Sequence, residues 1–411
     1  MYKPLLRTVL LFSLISCQNN PDSSNAGAIS FYEIPSPVVE GGEPNLFVSE
    51  AGQVYLSWVE YLNDTTDALL FSRLENAQWS QPLEVARGSD WFVNWADFPS
   101  LVAYKDEEQS LAAHWLQKSA TGTYDYDVRI AQSFDGGKTW GPSFIPHRDG
   151  IAAEHGFVSM LPLPDGRIFA TWLDGRNTKN EEHGGSEHGH QGAMALRAAI
   201  FDKEGNLYEE TELDGRVCDC CQTSAAMTDE GLIVAYRDRS ENEIRDIAIV
   251  RQSNGKWMSP SLVFPDNWQI TGCPVNGPSI KAEGKTVALA WFSMPDEKPQ
   301  VKVAFSNNSG AAFSAPIRMD DGNPLGRVDV VLLSEKEALV TWLEETEDGA
   351  AIKAAKVGPE GKQGESFLVA DSDASRQSGF PRMAKYNGQV VFAWTHVDSV
   401  TTVKTVLIRM K

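Results

Sequence analysis

Val217-Cys218-Asp219-Cys220-Cys221-Gln222 holds three of the chain's five cysteines within four positions. A fourth, Cys273, follows in Thr271-Gly272-Cys273-Pro274-Val275-Asn276-Gly277-Pro278. Thiolate sulfur is a soft ligand and suits Cu(I) or Zn. The run Glu182-His183-Gly184-Gly185-Ser186-Glu187-His188-Gly189-His190 adds three imidazoles on a glycine-rich segment, and His155 stands apart. Cys218, Cys220, Cys221, Cys273, His155, His183, His188 and His190 are therefore the candidate metal ligands, with copper or zinc as the ion. The C-x-C-C spacing is not that of a zinc ribbon, so the metal stays open. Two disulfides are the competing reading in an oxidising compartment, one to Cys273 and another to Cys218. A His-rich surface run is also often only a polar linker. The arginines suggest different chemistry: Arg237, Arg239, Arg327 and Arg376 could grip a carboxylate by paired hydrogen bonds. Asp174 or Asp238 would then serve as acid, and Tyr236 as an activated phenol. Arg237-Asp238 and Arg245-Asp246 also read as internal ion pairs.

The compartment follows from the ends of the chain and its charge. With 411 residues, 42% hydrophobic and 22% charged, the chain has the composition of a globular protein with ample core. A net charge of −20 argues against nucleic acid or an anionic membrane surface as partner. Lys3 and Arg7 open a basic start, and Thr8 to Ile15 is an apolar run too short to span a bilayer. The run ends in Leu14-Ile15-Ser16-Cys17, which resembles a bacterial lipobox. That resemblance implies lipidation of Cys17, membrane attachment through the lipid, and a place in the cell envelope, at the outer membrane, with the face left open. Cleavage near Ser16 without lipidation is the alternative. Residues 1–16 then form the signal peptide, the polar residues 17–28 a tether, and residues 29–411 one domain.

That domain is organised by a repeat. Trp58, Trp115, Trp172, Tyr236, Trp291, Trp342 and Trp394 each close a short apolar run, spaced 51 to 64 residues apart. Each interval is long enough for four strands and their turns. Seven such units predict an all-β, seven-bladed β-propeller, with a six-bladed sialidase-type propeller as the alternative. The last unit runs out after three strands, and Phe31 to Val39 is expected to supply the fourth. No long amphipathic helical pattern appears. Tyr236 occupies a repeat position, which favours a core role for it.

One turn carries a signature. Ser133-Phe134-Asp135-Gly136-Gly137-Lys138-Thr139-Trp140 resembles the Asp box, or BNR repeat, of the sialidase superfamily. Its Asp caps a tight hairpin and its glycines take positive φ. Ser306-Asn307-Asn308-Ser309-Gly310-Ala311-Ala312-Phe313 reads as a worn copy without the Asp. Together with Cys218-Asp219-Cys220-Cys221, Tyr236-Arg237-Asp238-Arg239 and Gly272-Cys273-Pro274-Val275-Asn276-Gly277-Pro278, the chain from 44 to 410 resembles exported bacterial BNR-propeller proteins described as sialidase-like. Sialidases pair an arginine triad with an Asp acid/base and a Tyr–Glu nucleophile. The resemblance thus casts Asp174, Arg237, Arg239 and Arg327 as candidate catalytic residues. The chain departs from sialidases in its seven units and in lacking an early Phe-Arg-Ile-Pro segment.

In a propeller, the loops before the first strand of each blade and between its second and third strands open on one face around the axis. The cysteines, His155, Asp174, Arg176, the His-rich run, Arg237, Arg239, Arg327, Arg376 and His396 all map to such loops. Three functions follow as expectations. The first is a lipid-anchored propeller binding a transition metal at its axial mouth. The second is a sialidase-like glycosidase acting on an anionic glycan or small-molecule ligand. The third is a non-catalytic scaffold locked by disulfides.

Overall fold

The computed structural model describes residues 29–105, 107–179 and 192–410. Seven antiparallel sheets close into a ring, a seven-bladed β-propeller. Blade 1 spans 41–88, blade 2 spans 100–133, blade 3 spans 155–217 and blade 4 spans 224–262. Blade 5 spans 279–318, blade 6 spans 324–372 and blade 7 spans 382–410. The first strand of each blade lies against the first strands of both neighbours, so seven inner strands ring the axis. The strand Ile29–Ile34 closes the ring, pairing antiparallel with Thr402–Met410 from Ile29 opposite Met410 to Ile34 opposite Thr405. The expected fourth strand of the last blade is thus present and begins two residues earlier than Phe31. Blade 2 has three strands, and its outer edge is met by isolated bridges, Phe144 at Ile130 and Glu154 at Tyr126.

The second strands are apolar on both faces because each is sandwiched between neighbouring blades. Ile168–Asp174 is buried at every position. One core cluster joins Leu69 and Phe71 of blade 1 to Leu101 and Leu111 of blade 2. The recurring aromatic sits at such seams, where a buried polar atom favours a partner, though the indole N–H groups of Trp115 and Trp394 have none among the described residues. Trp58 donates its indole N–H to Glu60 at 2.7 Å, Trp172 to Asp174 at 2.8 Å, and Trp342 to Glu344 at 2.5 Å. Residues i and i+2 share one face of a strand, so the acid two positions on is the natural acceptor. Tyr236 donates instead to Asp214 at 2.5 Å, and Trp291 to Asp266 at 2.7 Å. Tyr236 is fully buried, as its repeat position implied.

The turn after Ser133 is held by its own side chains. Gly137 N–H donates to Ser133 Oγ at 2.9 Å, and Thr139 N–H to Asp135 Oδ1 at 2.9 Å. The turn after Ser306 repeats this pattern with Asn308 in place of the aspartate. There Gly310 N–H donates to Ser306 Oγ at 3.0 Å and Ala312 N–H to Asn308 Oδ1 at 3.0 Å. Gly137 and Gly310 have φ of 82° and 78°, and each lies against the preceding blade, on Phe71 and Ile233.

Candidate functional site

The cysteine loop leaves blade 3 at Val217 and enters blade 4 at Ser224. Cys218 N–H donates to the Arg237 carbonyl at 3.0 Å, which ties the loop to the end of the second strand of its blade. Cys218 Sγ lies 3.7 Å from Cys221 Sγ and 3.9 Å from Cys220 Sγ, and all three sulfurs fall within 4.8 Å of one another. Cys273, exposed on the next interblade loop, stands outside that triad but near enough to Cys220 for the two thiols to shift one another. The first loop thus gathers three sulfurs, with Cys273 of a chain-distant loop beside them, and all four described cysteines are free.

The two loops touch closely. Gly277 lies against the Gln222 backbone so tightly that a Cβ would overlap it, and Gly277 N–H donates to Gln222 Oε1 at 2.9 Å. Asn276 is the hub. Its N–H points at Cys221 Sγ at 3.4 Å, and its Oδ1 accepts from Arg327 N–H at 2.6 Å. Arg245 donates to Cys218 Sγ at 3.2 Å. Arg239 bridges Asp219 at 3.0 Å and Glu243 at 2.8 Å, and Glu243 also pairs with Arg245 at 2.9 Å. Burial opposes ionisation of Cys218, yet hydrogen bonds from Cys220 and Cys221 and the charges of Arg245 and Arg237 bring its thiol well below the ordinary range. Hydrogen bonding to Cys218 pushes Cys220 up, and burial pushes Cys221 up. Cys218 is thus the sulfur most readily held as a thiolate, with the Arg245 guanidinium donating to it.

These sulfurs fit a thiophilic metal. Zn–S bonds of about 2.3 Å in a tetrahedron set sulfur–sulfur edges of about 3.8 Å. The two edges at Cys218 match that length, and the Arg245 and Asn276 donors supply the outer hydrogen bonds that thiolate ligands use.

The other expected site residues are placed differently. Arg237 is buried and spends its donors on the carbonyls of Asn276 (2.7 Å), Arg245 (2.7 Å) and Phe292 (2.7 Å), with its plane 4.9 Å from Trp268. Arg327 likewise serves Ser378 at 2.6 Å and the Ser375 carbonyl at 2.9 Å, and it lies 4.9 Å over Trp95. Burial lowers the Arg327 guanidinium to about 10. Arg376 is 6.0 Å from the same Trp95 ring. Arg237 and Arg327 therefore spend most of their donors stapling loops together. Asp174 is fully buried as the acceptor for Trp172, and it also accepts from Arg176 at 2.7 Å. Its place in the Trp-x-acid register, visible in the sequence, accounts for it as a structural acid. His155 is not with the sulfurs. It stacks on His147 with ring centroids 3.7 Å apart and donates to Asp149 at 3.0 Å. His183, His188, His190 and Cys17 lie outside the described residues.

Beside the sulfurs lies a group that sequence reading missed. Tyr126 O–H reaches Glu154 at 3.0 Å and Asp97 at 3.2 Å, and Phe157 N–H donates to Asp97 at 2.7 Å. Burial pushes Glu154 up to about 8, with the charges of Asp97, Asp219 and Cys273 adding to it, and pushes Asp97 up to about 7. These three come from separate loops and strands and match no motif, so nothing in their spacing could have flagged them.

An axial cavity of about 810 Å³ runs inside the seven first strands. Ala96, Asp97 and Phe98 line one end, where Trp95 stacks on Phe380 at 5.8 Å and Gln222 binds the Ala96 carbonyl. The cysteines do not line this cavity. The expectation of one central pocket ringed by sulfur, imidazole and guanidinium is corrected. The segment 91–98 crosses the hub, and the reactive groups separate into clusters around it.

No protein-family model and no curated protein matches the chain. Solved structures match its fold. A protein of unknown function from Dyadobacter fermentans DSM 18053 aligns with TM-score 0.53 and 13% identity, over 93% of this chain and 99% of that one. The polysaccharide lyase Uly1 aligns with TM-score 0.52 and 10% identity over 89% of each chain. An ulvan lyase bound to -[GlcA(1-4)Rha3S]- aligns with TM-score 0.50 and 12% identity, over 78% of this chain and 80% of that one. At such identities the likeness is one of fold.

Proposed function

We propose that this propeller is a metal-binding protein of the cell envelope, holding Cu(I) or Zn(II) through Cys218, Cys220, Cys221 and Cys273. The observation that carries the reading is the sulfur triad with edges of 3.7 and 3.9 Å, backed by Arg245 and Asn276. Arg245 supports Cys218 as the thiolate that ligation requires, and Cys220 and Cys221 would release protons on binding. A bound ion would supply charge neutralisation for sulfurs otherwise crowded in a low-dielectric loop. Lipidation at Cys17 would hold the protein at a membrane where metal ions enter or leave the envelope. The test is metal analysis of tag-free protein with thiol counting. One ion per chain is expected, lost together in Cys218→Ser and Cys221→Ser. Four fully titratable thiols in protein that takes up neither ion under reducing conditions would end this reading.

A second reading rests on Tyr126, Glu154 and Asp97. A carboxyl held protonated near neutral pH beside a buried phenol is a general acid in waiting, and two proteins of the same fold are polysaccharide lyases. The substrate would be an anionic glycan. Turnover of a uronate polysaccharide or a fluorogenic sialoside, reduced at least about hundredfold by Glu154→Gln, is the expected result. Equal turnover in the variant counts against it.

A further inference from the structure

The axial cavity of about 810 Å³ is lined by two cations that the fold leaves without acceptors, Arg382 and Lys281. Arg382 opens the inner strand of blade 7, and Lys281 lies in the inner strand of blade 5. Between them runs the inner strand of blade 6, where Asp329 is fully buried. Asp329 is committed to stitching the three blades together. Its Oδ1 accepts from Ser279 O–H at 2.7 Å and from Val330 N–H at 2.9 Å, and its Oδ2 accepts from Met383 N–H at 2.7 Å. Arg382 Nε stands 3.8 Å from Asp329 Oδ2, too far for a hydrogen bond. That Nε is buried and has no hydrogen-bond partner. Among the described residues, neither the rest of the guanidinium nor the Lys281 ammonium donates a hydrogen bond. The guanidinium lies 5.3 Å from the Phe98 ring, which holds it in place without satisfying its donors. Burial lowers the Lys281 ammonium, with the Asp329 charge opposing and the Arg382 charge adding to it, so the three groups share one space. Two part-buried cations set against one saturated carboxylate are costly, and a bound anion removes that cost.

The rest of the lining decides which class of anion fits. Most of its polar side chains are already spent on the protein. Ser100 Oγ is 2.9 Å from His114 Nδ1, Ser159 donates to the Thr223 carbonyl at 2.9 Å, and Ser224 accepts from Ile280 N–H at 3.1 Å. Gln222 gives its amide to the Ala96 carbonyl and its oxygen to Gly277 N–H. The walls between these groups are apolar, with Leu46, Val48, Met160, Ala226 and Val331 among them. A sugar would find few free partners there, whereas a hydrocarbon body would find a matching wall. Guanidinium offers paired donors to a planar carboxylate, and ammonium adds a point charge. The charge balance agrees. The chain has 36 basic and 56 acidic residues, yet the lining holds four cations, Lys105, Lys281, Arg382 and Lys385, against three acids, Glu50, Asp97 and Glu283. Lys105 is paired with Glu50 at 3.1 Å, and burial pushes Asp97 up to about 7. The volume lies within the range of about 300–1,000 Å³ usual for small-molecule sites. Glu50, Glu283 and Lys385 are exposed where the inner strands end, so a ligand has its entrance on the face away from Asp97 and the cysteine loops.

We infer that the axial cavity binds a small organic carboxylate with an apolar body, its carboxylate gripped by Arg382 and Lys281. The site is independent of the readings proposed for the cysteines and for Glu154. The experiment titrates octanoate, and separately octan-1-ol, into reduced, tag-free full-length protein by isothermal titration calorimetry. The two probes share one hydrocarbon body and differ in charge. One octanoate per chain is expected, with octan-1-ol at least about tenfold weaker, because hydrogen bonds to charged groups are the strong ones. Arg382→Gln and Lys281→Met should each weaken octanoate at least about tenfold and leave octan-1-ol as in the parent. Lys256→Met removes an exposed charge at the outer edge of blade 4, so it controls for net charge and should keep the parental affinity for octanoate. Far-ultraviolet circular dichroism checks that each variant is folded. A parent that takes up no octanoate or binds both probes equally, or a folded cavity variant with parental octanoate affinity, would overturn the inference. If Arg382→Gln unfolds, Lys281→Met decides alone.

Discussion

Glu43 is buried near the start of blade 1 and accepts from Tyr61 O–H at 2.8 Å. Burial raises its carboxyl to about 7, partly offset by the Tyr61 hydrogen bond and reinforced by Asp67. The native state therefore keeps a proton that the unfolded chain has already released between its ordinary value of 4.5 and about 7. Stability conferred by that proton is full below 4.5, falls as pH rises through this window, and is flat above it. Glu43→Gln keeps an acceptor for Tyr61 and cannot ionise. It should match the parent at pH 4.5 and gain on it by on the order of 2–3 kcal/mol at pH 8, read as urea midpoints at both values. A constant difference between the two proteins across that range would show that Glu43 titrates normally. The residue scale is also where sequence reading was weakest. Cys218 to Cys221 and Cys273 were legible, because cysteines are few and their loops mapped to one face. Arg237 and Arg327 looked identical to substrate-binding arginines, because a guanidinium spending its donors on main-chain carbonyls leaves no trace in sequence. His155 was read as a ligand and not as the partner of His147, since only the fold stacks them.

At the scale of the element, the repeat was readable through what each strand must bury. The indole positions marked the second strands, whereas the acids two residues on from Trp58, Trp172 and Trp342, which accept their N–H groups, went unread. Asp174 shows how that register, once applied, separates a structural acid from a catalytic one. The turns were readable through glycine. Gly137 has φ of 82° and lies against the Phe71 ring, so alanine there meets both backbone strain and an unyielding neighbour. Gly52 has φ of 84° with open space around it, so alanine there meets only the strain. Left-handed backbone at a non-glycine residue costs about 1–3 kcal/mol. Gly52→Ala should fall in that range, and Gly137→Ala should exceed it by at least about 1 kcal/mol from overpacking. Equal losses of thermal stability in the two variants would mean that the turn does not press on blade 1. The Ser306 turn was read as worn because it lacks aspartate, yet Asn308 makes the same main-chain contact, since a carboxamide oxygen accepts as a carboxylate does.

At the scale of the molecule, everything depends on closing the ring, and closure joins the two ends of the described chain. The strand Ile29–Ile34 supplies the outer edge of blade 7. Thr405 O–H donates to the Ile34 carbonyl at 2.6 Å while accepting from Trp79 of blade 1 at 3.0 Å, so one hydroxyl links the closing strand, blade 7 and blade 1. Ile34 is 2% exposed within the cluster that joins Leu56 and Trp58 to Val391 and Leu407. Phe31, on the same strand, is 44% exposed and makes an edge contact with Phe367. A ring held only by inner-strand packing would hardly register the loss of either side chain. A ring latched by this strand should register one and not the other. Ile34→Ala should cost about 2–5 kcal/mol, as truncation of a buried isoleucine does, while Phe31→Ala should cost under about 1 kcal/mol. Because the cysteine loops join blades 3, 4 and 5, Ile34→Ala should also weaken retention of any ion at the proposed cysteine site as the ring loosens, whereas Phe31→Ala should not. Urea unfolding followed by tryptophan fluorescence, with metal release measured in the same samples, reads both effects. Loss of fluorescence in Ile34→Ala at the parental urea midpoint would mean that the latch carries no load and that the seven blades hold their geometry by lateral packing alone.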